Sequence, residues 1–200
     1  MIAVLDYGIG NLRSAQKALQ KVGAEAELTY DPEVVADADG VVLPGVGAFG
    51  RCMEALRSAR LEDPAKAAID AGKPFLGICV GMQMLYDGSE EDPGVPGMGI
   101  LDGDVARLEG EVKLPQMQWN VLDRWRDSVM LQGLEERPWV YFVHSYAPRR
   151  DGYEVATCDY GGTVCAAVER DNLWATQFHP EKSGVAGLRL LANFVAATSR

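Results

Sequence analysis

Gly77-Ile78-Cys79-Val80-Gly81 sets a cysteine between two symmetrically spaced glycines, where the apolar run PFLGIC gives way to a helix-forming stretch. The pattern is that of the strand-to-helix nucleophile elbow, G-x-S-x-G, with sulfur in place of oxygen. Such a turn is tight, so the flanking glycines relieve backbone crowding while the nucleophile stands above the sheet. A helix that begins right after Cys79 adds partial positive charge and free N–H groups, and both favour a thiolate. A buried structural cysteine would need neither glycine. Free cysteines are nonetheless commonly buried, and 22 of the 200 residues are glycine, so it is the symmetric pair after an apolar run that carries the inference.

A thiol nucleophile needs a base, and the base needs an acceptor that fixes its tautomer. Gln177-Phe178-His179-Pro180-Glu181 supplies both, with His179 as base and Glu181 as acceptor, while Pro180 ends the strand and stiffens the link. Taken alone, His-Pro-Glu reads as a surface turn; beside the elbow it reads as the rest of a triad. His144, the only rival base, lies in the β-forming run YFVHSY with no carboxylate nearby in sequence, and fits a hydrogen-bonded core residue better.

The loop Pro44-Gly45-Val46-Gly47-Ala48-Phe49-Gly50 contains G-x-G-x-x-G, and Asp70 follows Gly50 by about the 20 residues of a dinucleotide site. That fingerprint belongs after the first strand of its unit with the acid at a strand end. Here the loop follows the third strand and Asp70 falls in a helical stretch. A glycine-rich loop beside an elbow can instead aim an N–H at a developing oxyanion, joining the N–H of Val80. For Gly50, a turn that simply closes the strand fits as well.

The elements that must position these groups alternate in period. IAVLDY, AEAELTY, GVVLP and PFLGIC read as strands, and the helical stretches are NLRSAQKALQKVG, Ala48 to Ala59 and Pro64 to Ala71. Strand-helix alternation of this kind predicts an α/β fold with a mostly parallel central sheet flanked by helices. From Ile100 to Arg170 the pattern changes to short stretches (DGDVARL, WVYFVHSYA, YEVATCDY, TVCAAVE) that read as hairpins and antiparallel edge additions to that sheet. LWATQFHP then reads as a strand and VAGLRLLANFVAAT as a closing helix.

Length and composition, 48% hydrophobic and 24% charged, predict one domain over residues 1–200 with a sizeable core. A formal charge of −10, from 19 basic and 29 acidic residues, argues against a nucleic-acid surface. No apolar run approaches the roughly 20 residues of a membrane helix, and MIAVLDYG lacks a secretory pattern, so a cytoplasmic protein with no membrane partner is expected. Cys52, Cys79, Cys158 and Cys165 form no C-x-x-C pair and lie far from both histidines in sequence, so neither a metal site nor a disulfide framework is expected.

Cys79 in GICVGMQ, His179 and Glu181 in QFHPEKSG, and the PGVGAFG loop together resemble the class I glutamine amidotransferases, whose triad runs Cys, His, Glu in this order. Further stretches (DYGIGNLRS, GICVGMQML, LPQMQWN, YFVHSY, HPEKSG) narrow the likeness to glutaminase subunits of imidazole glycerol phosphate synthases, over essentially the whole chain. The resemblance implies a seven-stranded mixed sheet flanked by helices and no cofactor. It implies that Cys79 attacks the amide of glutamine, with oxyanion N–H groups from Val46 and Val80. Gly47, Gln83, Glu91, Ser145 and Tyr146 would hold the glutamine, Glu91 opposite its α-ammonium. It also implies a (β/α)8-barrel cyclase partner that receives the ammonia, with Asn11, Trp119, Asn120, Tyr141 and Lys182 at positions near that interface.

One departure stands out. The family commonly reads P-H-M-G-W-N where this chain has Pro115-Gln116-Met117-Gln118-Trp119-Asn120, which adds a side chain in place of glycine and removes an imidazole. The interface geometry is therefore expected to differ in detail. Three other readings remain at this level: a glutaminase serving another synthase, a binding protein that keeps the fold without chemistry, and a dinucleotide-dependent oxidoreductase.

Overall fold

The computed structural model describes residues 1–124, 126–149 and 152–199. Its first half runs β1 (Ile2–Leu5), α1 (Leu12–Lys21), β2 (Ala26–Thr29), α2 (Pro32–Asp37), β3 (Gly40–Gly45), α3 (Phe49–Ser58), α4 (Glu62–Asp70), β4 (Phe75–Cys79) and the one-turn α5 (Val80–Gln83). Every residue of β1, β3 and β4 is buried, as near-continuous apolar strands covered on both faces must be. Helix α2 was not expected from the apolar pattern. It is made by its ends: Asp31 accepts the Glu33 N–H at 2.9 Å and Pro32 opens the first turn.

The second half adds β5 (Gly88–Ser89), β6 (Asp104–Arg107), β7 (Gln116–Val121), β8 (Asp123–Arg124), β9 (Trp139–His144), β10 (Tyr146–Pro148), β11 (Glu154–Asp159), β12 (Thr163–Arg170), β13 (Leu173–Thr176), a 3₁₀ turn (Pro180–Lys182) and α6 (Gly184–Ala197). The main sheet has the order β2-β1-β3-β4-β13-β12-β11-β8. Strands β2 to β13 in that order are parallel; β12, β11 and β8 continue it antiparallel. The two-residue β8 adds an eighth strand at the edge, where the resemblance implied seven.

Not every late strand joins that sheet, which corrects the expectation of edge additions throughout. β6 pairs with β5 and β10 in a separate three-stranded sheet, and β9 pairs with β7 in a two-stranded ribbon. The burial of β9 alternates, with Val140, Phe142 and His144 inward and Trp139 outward. A strand with one solvated face belongs at the surface of a core, not inside a sheet covered on both sides.

Connections place the helices. From β1 the chain steps outward to β2 through α1, and from β3 it steps the other way to β4 through α3 and α4, so right-handed crossovers put these helices on opposite faces. Accordingly α1 packs with α6, and α2 with α4. Strands β3, β4 and β13 are adjacent and parallel, with Gly45 opposite Cys79 and Thr176 opposite Ile78. The glycine loop, the elbow and the His179 segment therefore emerge side by side at one carboxyl edge, where ligands bind in open α/β sheets. Among the described residues no helix is long and apolar enough to cross a membrane.

Candidate active site

Cys79 ends β4 with φ 57° and ψ −114°, a conformation that costs a non-glycine residue free energy. The neighbouring glycines explain how the turn fits. A Cβ on Gly81 would lie 1.9 Å from the Leu43 carbonyl oxygen, and one on Gly77 would lie 2.9 Å from the Gly81 carbonyl oxygen. A Cβ on Gly45 would lie 2.6 Å from the Gly81 nitrogen, so the glycine-rich loop packs backbone to backbone against the start of α5. Val80 opens that helix, and its N–H has no carbonyl one turn earlier to bond.

The base arrives on the segment after β13. Gln177 and His179 are both buried just past the end of β13, while Phe178, also buried, meets the Phe142 ring edge-on at 5.8 Å. The His179 N–H donates to the Tyr141 carbonyl at 3.0 Å, and Ser183 Oγ donates to the His179 carbonyl at 2.6 Å, so the residue is pinned from both sides. Its Nδ1 lies 2.7 Å from Glu181 Oε1, which also accepts from Asn11 Nδ2 at 3.1 Å. With Nδ1–H committed to the carboxylate, Nε2 is the position left for proton exchange, and it makes no hydrogen bond to a described residue. Burial opposes charging of the ring, but the Cys79 sulfur and the Glu181 carboxylate outweigh it and raise the His179 pKa to about 10.

Cys79 and His179 face a common cavity of about 270 Å³. Val46, Gly47, Val80 and Glu91 line it on the loop and elbow side, and Ser145 and Tyr146 close it from the β9–β10 corner. Glu91 Oε2 accepts the Phe49 N–H at 2.9 Å, which holds the carboxylate at the rim and leaves Oε1 to a ligand. The Val46 carbonyl accepts from the buried Cys52 thiol at 3.3 Å. Gln83 also lines the cavity, but its Nε2 donates to the Tyr146 carbonyl at 2.9 Å and to Gln177 Oε1 at 3.0 Å, so only its Oε1 remains for a ligand. A slightly larger cleft of about 310 Å³ between β6, β10 and β12 contains neither a cysteine nor a histidine.

The residues expected at a partner interface fall into two groups. Trp119, Tyr141 and Lys182 cluster on the outer face of the β7–β9 ribbon. Trp119 is 48% exposed with its ring 6.2 Å from that of Tyr141, and Lys182 Nζ sits 5.9 Å above the Tyr141 ring. Asn11 and Asn120 instead engage their side chains within the chain, Asn11 by donating to Glu181 and Asn120 by donating to the Asp159 carbonyl at 2.9 Å. Gln118 points to solvent, so the ribbon accommodates it without crowding, whereas Gln116 is fully buried beside His144. Asp70 ends α4 and Gly50 lies in the first turn of α3, its N–H donating to Asp92 at 2.8 Å, so the glycine loop carries no strand-end acid of the dinucleotide kind. Sequence reasoning missed Gln177, whose Nε2 lies 3.7 Å from Cys79 Sγ; its only visible signal was its place two residues before His179.

A family model described as glutamine amidotransferase class-I matches residues 3–198. The imidazole glycerol phosphate synthase subunit HisH of Syntrophotalea carbinolica is 50% identical, over 97% of this chain and 98% of its own length. The protein of the same name from Methanothermobacter thermautotrophicus is also 50% identical, over 98% of each chain. Among solved structures, a glutamine amidotransferase superposes with a TM-score of 0.78 at 22% identity, covering 100% of this chain and 99% of that one. PurLQS from Thermotoga maritima superposes with a TM-score of 0.75 at 22% identity, covering 98% and 97%. At that identity the structural likeness speaks for the fold.

Proposed function

The chain belongs to the class-I glutamine amidotransferase family, and from that premise we propose that it is the glutaminase subunit of an imidazole glycerol phosphate synthase, acting in histidine biosynthesis. It works as one glutamine amidotransferase domain, residues 1–200, in a cytoplasmic heterodimer with a (β/α)8-barrel cyclase. Relatives about 50% identical over nearly their whole length carry that subunit's name, which supports the assignment over a glutaminase for another synthase. The observation that carries the chemistry is a cysteine in an elbow with φ 57°, sharing a cavity with a histidine held 2.7 Å from a buried glutamate.

Cys79 gives its thiol proton to His179 Nε2 as Sγ attacks the side-chain carbonyl carbon of glutamine, and the C=O electron pair moves onto oxygen. Val80 and Val46 offer N–H groups to that oxyanion. The tetrahedral intermediate collapses as His179 Nε2 gives its proton to the amide nitrogen, so ammonia leaves and a glutamyl thioester stays on sulfur. Water then attacks the thioester, His179 takes the proton of the water, and the thiolate departs from glutamate. Glu181 stabilises the imidazolium whenever it forms and keeps the Nδ1 proton in place. Glu91 Oε1 offers the counter-charge for the α-ammonium, while Gly47, Gln83 Oε1, Ser145 and Tyr146 orient the substrate.

Ammonia in neutral water is largely protonated and no longer nucleophilic, so a biosynthetic glutaminase must deliver it directly to its acceptor. Trp119, Trp139, Met117 and Val185 expose large apolar side chains on and beside the β7–β9 ribbon, which itself bonds to the His179 backbone. A patch of this kind fits a protein partner. The assay is glutamate release by the purified chain, alone and with the cyclase and its nucleotide ligand. Turnover that rises steeply on adding both is expected; equal turnover without the partner overturns the coupling, and none with it overturns the activity.

A further inference from the structure

Around Cys79 the structure holds a buried amide chain that the triad does not use. The Tyr146 carbonyl is met at 2.8 Å by His144 Nδ1 and at 2.9 Å by Gln83 Nε2. A carbonyl oxygen can only accept, so both groups must present N–H, and its two lone pairs are then filled. This fixes the Gln83 amide: its nitrogen faces Tyr146, and the second N–H meets Gln177 at 3.0 Å. The Gln177 atom at that contact must therefore be Oε1, which turns its Nε2 toward Cys79 Sγ at 3.7 Å. Gln177 is fully buried and cannot exchange this bond for water.

We infer that Gln177 is a positioning residue for the nucleophile: its amide N–H, aimed by Gln83 and the Tyr146 carbonyl, donates to the Cys79 sulfur and favours the thiolate. A hydrogen bond to the charged form of an acid stabilises that form, and an amide held in a dry interior delivers it without reorganisation. The donor also helps fix the direction of the sulfur, whose thiol S–H meets the Val143 carbonyl at 3.9 Å, an acceptor that would repel a thiolate. Gln177 and His179 thus serve Sγ from the one short segment that follows β13, one donating to the thiolate and one exchanging its proton. The inference rests on Cys79 as the nucleophile proposed above.

The test is the pH dependence of Cys79 alkylation by iodoacetamide, read by mass spectrometry at that cysteine, in the chain and in Gln177→Met and Gln177→Glu. Methionine keeps the volume and removes the donor; glutamate puts a second acceptor against sulfur. The onset of alkylation should move up by about one pH unit in Gln177→Met and further in Gln177→Glu. With the cyclase present, kcat should fall while KM for glutamine changes little. An onset unchanged in folded variants overturns the inference. If neither variant folds, the Gln177 side-chain ¹⁵N–H resonances of the unsubstituted chain decide. They must shift in step with the alkylation onset and stay still in Cys79→Ala; resonances indifferent to the sulfur overturn it. If instead Cys79 of the unsubstituted chain, bound to the cyclase, resists a glutamine-like electrophile, the glutaminase assignment itself falls.

Discussion

The chain has two histidines, both buried, and their surroundings drive them in opposite directions. His144 is lowered to about 4: burial disfavours the imidazolium, and the hydrogen bond to the Tyr146 carbonyl does not restore it. His179 meets the same burial penalty and is nonetheless raised to about 10, because Cys79 and Glu181 face it. Burial alone therefore does not decide which histidine can handle a proton. What decides is whether the ring meets an anion or a neutral dipole, since only an anion repays desolvation of the cation. The structure sets Gln116 Oε1 2.9 Å from Nε2 and its Nε2 3.9 Å from the Cys158 thiol; with Nδ1–H given to Tyr146, a neutral ring must accept at Nε2 and so calls for the reverse orientation of this amide, nitrogen to His144 and oxygen to Cys158. Cys158, raised to about 12 by burial, keeps the proton that this arrangement needs.

Exchanging the roles of the two rings should fail, and that gives the largest expected effect. His179→Asn should reduce glutamate release in the cyclase complex on the order of 10⁴-fold, whereas His144→Asn should cost no more than about tenfold. Equal losses would erase the contrast. Glu181→Gln comes next: it keeps the shape but removes the anion, so turnover should fall on the order of 10²- to 10³-fold. The His179 titration, followed by NMR of its ring, should move down toward ordinary histidine values. A ring that titrates unchanged would mean that the carboxylate does not set its charge.

This division of labour was only partly legible in the sequence. The elbow could be read because its glycines are forced by backbone contact, as at Gly81, where a Cβ would strike the Leu43 carbonyl oxygen at 1.9 Å. The parallel strands were legible because burial on both faces writes an unbroken apolar run. The pairing of β7 with β9 was not, because Gln116-Met117-Gln118-Trp119 alternates in the wrong sense, burying Gln116 while Met117 and Trp119 face solvent, and owes its place to register with Tyr141 and His144. Gln177 was missed for a related reason. Nothing local marks an amide whose orientation is set by a carbonyl more than 30 residues away, Tyr146.

Acid stability separates the rings on a smaller scale. The folded pKa of His144 lies below its unfolded value near 6.5, so the unfolded chain binds the extra proton. The stability that neutral His144 contributes is complete above about pH 6.5 and is lost as pH falls toward 4. His179 has the opposite sign: its contribution is complete below about 6.5 and is lost as pH rises toward 10. Between pH 4 and 6.5 the histidine-dependent slope therefore belongs to His144. Denaturant unfolding across that window should show a loss on the order of 3 kcal/mol, flattened in His144→Asn. An unchanged slope would assign the acid sensitivity to other groups.

The smallest effect reports on the sulfur that makes His179 different. Cys79 holds φ 57° and ψ −114°, where a Cβ is strained and glycine is not. Both Cys79→Ala and Cys79→Gly remove the sulfur, so both should abolish turnover and bring the His179 titration down. They differ only in the backbone. Cys79→Gly should be more stable than Cys79→Ala by about 1 kcal/mol in equilibrium unfolding, against the usual order in which glycine is the costlier residue. If alanine proves the more stable, the elbow is not strained at Cys79. If His179 keeps its raised titration in both variants, Glu181 alone sustains the charge that sets this ring apart from His144.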